Sequence, residues 1–307
     1  MKKTTKMLAT SLLVAVGLAA CGSNSSSSTN AANRLTMTTF GELTTLDSAD
    51  YDDVPSSDMM GQIFEGLYRV AANNKVELGM AAQEPKVSED GLVYTFTLRD
   101  AKWSDGSAVK AQDFVFTYRK LVNPQEGHVA QSADVFKNAK KIRSGELPVE
   151  ELGVKALDDK TLEITLENPA PYLPKLLTGS RFLPQSEAVA QKLGDQYGSN
   201  VSNVVVNGPF KLEGWTGSEL TWKLVKNADY WDASNVTLNE VTVNVSKEVA
   251  TSDQLFDSKQ VQYTTISDQF VDQYKSQPTF HAQPKATMGY MSFNTLKPTT
   301  ANQHFRR

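Results

Sequence analysis

A single cysteine, Cys21, stands in a chain of 307 residues. The fold therefore has no disulfide framework and no cysteine-rich metal centre to hold it. Buried apolar side chains must do that work. With 40% hydrophobic and 9% aromatic residues, the chain is too apolar for a disordered polymer. At roughly 100–200 residues per domain, the length predicts about two domains. The three histidines, His128, His281 and His304, lie far apart and form no His-x-x-x-His zinc motif. Lys and Arg number 31 against 35 Asp and Glu, a formal charge of −4 that argues against a nucleic-acid partner.

The position of the cysteine is as informative as its solitude. Lys2, Lys3 and Lys6 precede an uncharged apolar run from Met7 to Ala20. That run is shorter than the roughly 20 residues a membrane-spanning helix needs. A basic front, a short apolar middle and small residues at the end predict a secretory signal peptide over residues 1–20. Leu18-Ala19-Ala20-Cys21 resembles the bacterial lipoprotein lipobox. The resemblance implies cleavage before Cys21 and diacylation of its thiol; a small buried hydrophobe is the alternative use of a lone cysteine. Two acyl chains anchor stably where one is marginal. Gly22 to Asn33 is rich in Ser, Asn and Ala, so residues 21–33 read as a lipidated cysteine and a flexible tether reaching roughly 20 Å.

No other run approaches membrane-spanning length, and the remainder alternates strand and helix patterns. Leu92 to Leu98 alternates large apolar residues with Thr, the period of a half-buried strand, after an Asp90-Gly91 turn. Thr161–Leu166, Leu220–Leu224 and Val241–Val245 repeat the pattern. Ser56–Tyr68 places Met59, Met60, Ile63, Phe64 and Leu67 on one helical stripe, and Ala111–Val122 carries Phe114, Val115, Tyr118, Leu121 and Val122. A third helix, Ser186–Leu193, follows Pro184 and stops before Gly194. Irregular mixing of strands, hairpins and helices favours α+β or mixed α/β over a clean doubly wound sheet.

Motifs of covalent chemistry are missing. The chain has no Gly-x-Ser-x-Gly elbow, no phosphate loop and no Gly-x-Gly-x-x-Gly after a strand. Asp52-Asp53 and Asp158-Asp159 read as solvated turns rather than catalytic pairs. No cofactor and no metal is expected.

One stretch is more specific. Val87 to Gly106, with its Leu92-Val93-Tyr94-Thr95-Phe96-Thr97-Leu98 strand and Trp103-Ser104-Asp105-Gly106 turn, resembles the signature of bacterial extracellular solute-binding proteins of the peptide/nickel class (family 5). Ala111 to Lys120 is similar to that family's following helix. Leu43-Thr44-Thr45-Leu46-Asp47, Ile63-Phe64-Glu65-Gly66-Leu67-Tyr68, Leu152 to Ala156, Asn207-Gly208-Pro209-Phe210-Lys211-Leu212 and Asn227-Ala228-Asp229-Tyr230-Trp231-Asp232 follow in the family's order. Tyr290 to Thr295 resembles its crossover strand, and Asn302 to Arg307 the start of the next helix.

The resemblance, which covers residues 34–307 and lies with the oligopeptide-binding members, implies a periplasmic-binding-protein-like fold (type II, three-domain cluster) whose lobes close on a peptide. It implies domain I from residues 34–59 with 187–289, domain II from 60–186, and a crossover segment at 290–307 leading to a second lobe beyond this chain. An extended peptide would pair main chain to main chain with cleft strands. Glu42, Leu43 and Thr44 would sit on one such strand, and Tyr290, Met291 and Asn294 on the crossover strand. The implied function is a lipid-anchored, substrate-binding component of an ATP-binding-cassette importer, a monomer on the extracellular face of a Gram-positive membrane. It would hand an oligopeptide to a permease. A pheromone-, nickel- or haem-binding relative, a nonfunctional remnant and an exported hydrolase are the alternatives. With half the cleft beyond residue 307, little peptide affinity is expected of this chain alone. Two departures stand out: Lys110 replaces the family's threonine helix cap, at about 1 kcal/mol of capping, and Gln125–Phe136 lacks the tyrosine that some relatives place against ligand.

Overall fold

The computed structural model describes residues 33–71, 74–126, 129–282 and 292–302. Cys21, the segment 1–20, Tyr290 and Met291 lie outside them. The first strand, β1 (Arg34–Thr39), is followed by α1 (Val54–Ile63), the hairpin β2 (Tyr68–Val70) and β3 (Val76–Leu78), then β4 (Lys86–Val87) and β5 (Val93–Thr97). Next come α2 (Ala111–Lys120), α3 (Ala139–Arg143), β6 (Val154–Ala156), β7 (Thr161–Thr165), α4 (Leu173–Leu176) and α5 (Glu187–Leu193). The described chain continues through β8 (Phe210–Glu213), β9 (Thr221–Lys226), β10 (Glu240–Val245), α6 (Val249–Asp257), α7 (Asp268–Tyr274) and α8 (Pro298–Ala301).

Two four-stranded sheets organise these elements. One has the order β1-β10-β9-β8, the other β4-β5-β7-β6. The pairs within each are antiparallel except β1 with β10, which run parallel with Arg34 opposite Glu240 and Thr39 opposite Val245. A parallel pair needs a crossover, and here it is nearly the whole described chain.

The alternation read from the sequence places the core correctly. In β5, Tyr94 and Phe96 face inward, opposite Ile164 and Leu162 of β7. Phe114 and Tyr118 of α2 are fully buried, and Tyr118 stacks on Phe136 at 5.2 Å. Trp103 is buried under Phe64, edge-on at 6.4 Å. One contiguous apolar cluster runs from Leu43 through both sheets to Val243.

Two helices differ from expectation. α1 begins at an Asp53 cap with Pro55 in its first turn, so Asp53 caps a helix and is not a freely solvated turn residue. The apolar stripe continues to Leu67, yet the helix stops at Ile63 and Phe64 is extended, φ −118° and ψ 159°. The cause is tertiary. Asn207 clamps both backbone groups of Glu65, accepting its N–H and donating to its C=O at 3.0 Å each, while the Gly208 N–H donates to the Ile63 carbonyl at 2.8 Å. A Cβ on Gly208 would lie 2.5 Å from the Ile63 carbonyl carbon, so only glycine fits. In α2, Lys110 makes no side-chain cap. The buried Asp113 carboxylate instead accepts the Lys110 N–H at 2.9 Å, completing half of a capping box, and also takes the Glu187 N–H and the Trp103 indole. Burial holds the Asp113 carboxyl above its ordinary pKa, opposed by these hydrogen bonds.

No helix among the described residues is long and apolar enough to cross a membrane.

Candidate functional site

Immediately after β1 the chain leaves its sheet and runs, without a strand partner, along the N-terminus of α1. This is where the expected cleft strand falls. Glu42 and Thr44 are exposed and Leu43 is 2% exposed, the in–out alternation of a strand. Yet residues 42–44 belong to no ladder, because no strand among the described residues lies beside them. The Leu43 side chain is part of the core.

The segment is fastened chiefly at the N-terminus of α1. The Thr44 N–H donates to Ser56 Oγ at 3.2 Å, and the Thr45 N–H donates to the same oxygen at 3.4 Å. The Thr44 hydroxyl donates to Asp53 Oδ2 at 2.5 Å. The Glu42 carboxylate pairs with the Lys247 ammonium, which follows β10. By contrast, the backbone N–H and C=O groups of Gly41 and Glu42 bond to no protein group among the described residues. Two aromatic side chains stand at the same end of β1. Phe40 is 55% exposed and Tyr263 50%, the latter held by a bridge to Met37 and by a hydrogen bond from the Thr38 N–H to its carbonyl. The result is a ledge whose backbone at Gly41 and Glu42 has no partner among the described residues, flanked by aromatic surface.

Thr44 also borders a cavity of about 640 Å³, shared with Asp47, Phe116, Lys120 and Tyr197. The Lys120 ammonium bonds Asp47 at 2.9 Å and the Gln185 side-chain oxygen at 3.3 Å. Tyr197 is 5% exposed, and burial raises its phenol pKa well above the ordinary value. Asn294, the one described residue of the expected crossover strand's ligand set, is exposed and lies in a turn. Its side-chain oxygen accepts the Leu296 N–H at 3.0 Å and its carbonyl accepts the Lys297 N–H. His281 is exposed, and no metal-binding group of side chains occurs among the described residues.

A second polar centre has no counterpart in the sequence reading. Glu65, 4% exposed, accepts the Tyr230 hydroxyl at 2.6 Å and the Trp231 indole N–H. Arg69 donates to Glu65, to Tyr230 and to Asp232, and the Arg99 guanidinium lies 3.5 Å from the Trp231 ring centroid. Burial raises the Glu65 carboxyl above its ordinary pKa, partly offset by the Tyr230 and Trp231 bonds and the two arginines. This network borders a groove of about 560 Å³ on the exposed side of α1. Glu65, Arg99 and the Tyr230–Asp232 run fall in three motifs quoted separately above, Arg69 falls in none, and nothing in their spacing announces that they meet.

The geometry has informative likenesses. A family model described as bacterial extracellular solute-binding proteins, family 5 Middle, matches residues 75–307. A dipeptide-binding protein of Lactococcus lactis subsp. cremoris is 31% identical over 301 residues, covering 95% of this chain and 54% of the relative. The oligopeptide-binding protein OppA of Bacillus subtilis is 30% identical over 314 residues, covering 99% of this chain and 57% of its own length. Listeria monocytogenes OppA bound to peptide superposes with a TM-score of 0.76 at 36% identity, over 80% of this chain and 49% of that one. The mixed α/β architecture is thus that of OppA-type binding proteins, and the chain spans about half the length of the proteins it matches.

Proposed function

Because the chain belongs to the bacterial extracellular solute-binding proteins of family 5, we propose that it contributes one wall of an oligopeptide-binding cleft serving an ATP-binding-cassette importer. The observation that carries this reading is the backbone of Gly41 and Glu42, which has no partner among the described residues. An extended peptide adds there as a strand, bonding through main-chain groups that every sequence shares. Phe40 and Tyr263 supply apolar surface for its side chains, and the cavity beside Thr44 leaves room for variety. Tyr290, Met291 and Asn294 belong to the segment leading to the opposite wall.

Magnitudes explain why one wall is insufficient. Each new hydrogen bond contributes about 0.5–1.5 kcal/mol net, while association costs at least about 4 kcal/mol in lost freedom. Tight capture needs an opposing lobe to close over the ledge. The two four-stranded sheets support a division into domain I (34–59 with 187–289) and domain II (60–186). Cys21 carries the lipid anchor that keeps the protein at the extracellular face of the membrane, beside its permease. Capture and hand-over involve no covalent step.

The test is to isolate the protein together with its opposing lobe from its own host and identify bound material by mass spectrometry. Intact oligopeptides of varied sequence, unaltered on incubation, support the reading. Absence of peptide, or conversion of added peptides to cleavage products, overturns it.

A further inference from the structure

The ledge is not held by a sheet; it is held by the cap of a helix. Asp53 uses its two carboxylate oxygens for different purposes. Oδ1 accepts the Ser56 N–H at 2.7 Å, capping α1, and Oδ2 accepts the Thr44 hydroxyl at 2.5 Å. Ser56, fully buried in the first turn, turns its own Oγ outward to accept the N–H groups of Thr44 and Thr45. Pro55, just before Ser56, sits so close to Gly41 that a Cβ there would lie 3.0 Å from its Cγ. Three consecutive contacts thus run from one helical turn to Gly41, Thr44 and Thr45, while Leu43 plugs into the core between them.

Resting on the peptide-binding reading above, we infer that Asp53 and Ser56 are positioning residues, which fix the Gly41–Thr44 ledge at the spacing an incoming peptide strand requires. The physical reason is entropic. An unpaired extended segment at a surface samples many backbone states, and ordering each residue costs about 1–2 kcal/mol. A segment already ordered by the helix cap does not incur that cost when peptide arrives, so affinity rises without any contact between the cap and the ligand. Because the effect acts on the receptor backbone, it is equal for peptides of different sequence.

Three substitutions separate this role from ordinary stability. Ser56→Ala removes the acceptor for two amides. Thr44→Val removes the side-chain tether but leaves the Asp53–Ser56 cap of α1 intact, and Thr44→Ser retains the hydroxyl. Amide exchange in the isolated gene product without peptide reads ledge order, calorimetry with a set of unrelated oligopeptides reads affinity, and urea unfolding reads stability. We expect Ser56→Ala to speed exchange at Thr44 and Thr45 by about three- to tenfold, the size of one lost hydrogen bond. Ser56→Ala and Thr44→Val should weaken every peptide by a similar factor, about threefold or more, with Thr44→Ser matching wild type. The urea midpoint of Thr44→Val should stay at the wild-type value. If wild type binds peptide and both variants bind it equally well, the positioning role is wrong and the peptide-binding reading stands. If wild type carrying its opposing lobe binds no peptide, that reading fails and takes this inference with it.

Discussion

The Tyr230 hydroxyl reaches Glu65 Oε1 at 2.6 Å across 165 residues of chain. With the Trp231 indole on the other oxygen and Arg69 bridging Glu65 to Asp232, it ties the end of α1 and the β2 strand to the loop after β9. A carboxylate with 4% exposure is costly to bury unless its lone pairs are used, and here both oxygens accept.

Glu65→Gln replaces two acceptors by one and leaves either the Trp231 N–H or an arginine donor facing an amide. We expect a loss of about 1–3 kcal/mol at neutral pH, the cost of a buried unsatisfied donor, measured by urea unfolding. An unchanged midpoint would mean that the network adds nothing to stability.

The pH dependence of that difference follows from the raised Glu65 pKa, caused first by burial. A carboxyl whose folded pKa lies above its unfolded value of 4.5 binds more protons when folded. Its contribution to stability is fully present below 4.5 and is lost as pH rises through the folded value. The margin of wild type over Glu65→Gln should therefore shrink as pH rises through that window. A margin that grows would contradict burial as the dominant cause.

Gly198 has φ +72°, and a Cβ there would lie 2.5 Å from the Asp47 nitrogen. Its carbonyl also accepts the Leu46 N–H at 2.8 Å, fixing the chain that leads from the ledge into the cavity. Gly198→Ala should cost about 1–3 kcal/mol through overpacking alone, with backbone strain in addition. Gly214, φ +76° but facing open space, provides the control. Equal denaturation midpoints for Gly198→Ala and Gly214→Ala would rule out the steric account.

Lys120→Met leaves the Asp47 carboxylate and the Gln185 oxygen without their ammonium. Asp47 is 9% exposed, and a buried carboxylate that loses its partner destabilises by about 1–3 kcal/mol. Adding Asp47→Asn should restore part of the loss. Strictly additive single and double mutants would show that the pair is uncoupled.

What was legible in the sequence, and what was not, divides along a physical line. The Leu92–Leu98 alternation became β5, and the Phe114–Val115–Tyr118 stripe became the buried face of α2, because local periodicity decides which side of an element meets the core. The stripe from Met59 to Leu67 predicted too long a helix, since Asn207, 142 residues away, captures Glu65 and forces Phe64 out of helical geometry. Glu42–Thr44 carries the alternation of a strand but forms no ladder. A ladder needs a second strand, which local pattern cannot supply. The Glu65, Arg69 and Tyr230 network was invisible for the same reason: Tyr230 lies far from Glu65 and Arg69 in the sequence, and their meeting is a tertiary event. The Lys110 departure leaves the other half of the capping box in place, since Asp113 accepts the Lys110 N–H whatever side chain stands at the cap.

Residue-resolved amide exchange of the gene product with and without a mixture of unrelated oligopeptides tests the central claim most directly. The account predicts that bound peptide slows exchange at Gly41 and Glu42, whose N–H groups have no partner among the described residues. Bound peptide with unchanged exchange at those two amides, and protection around Glu65 and Arg69 instead, would place the binding surface elsewhere and contradict it.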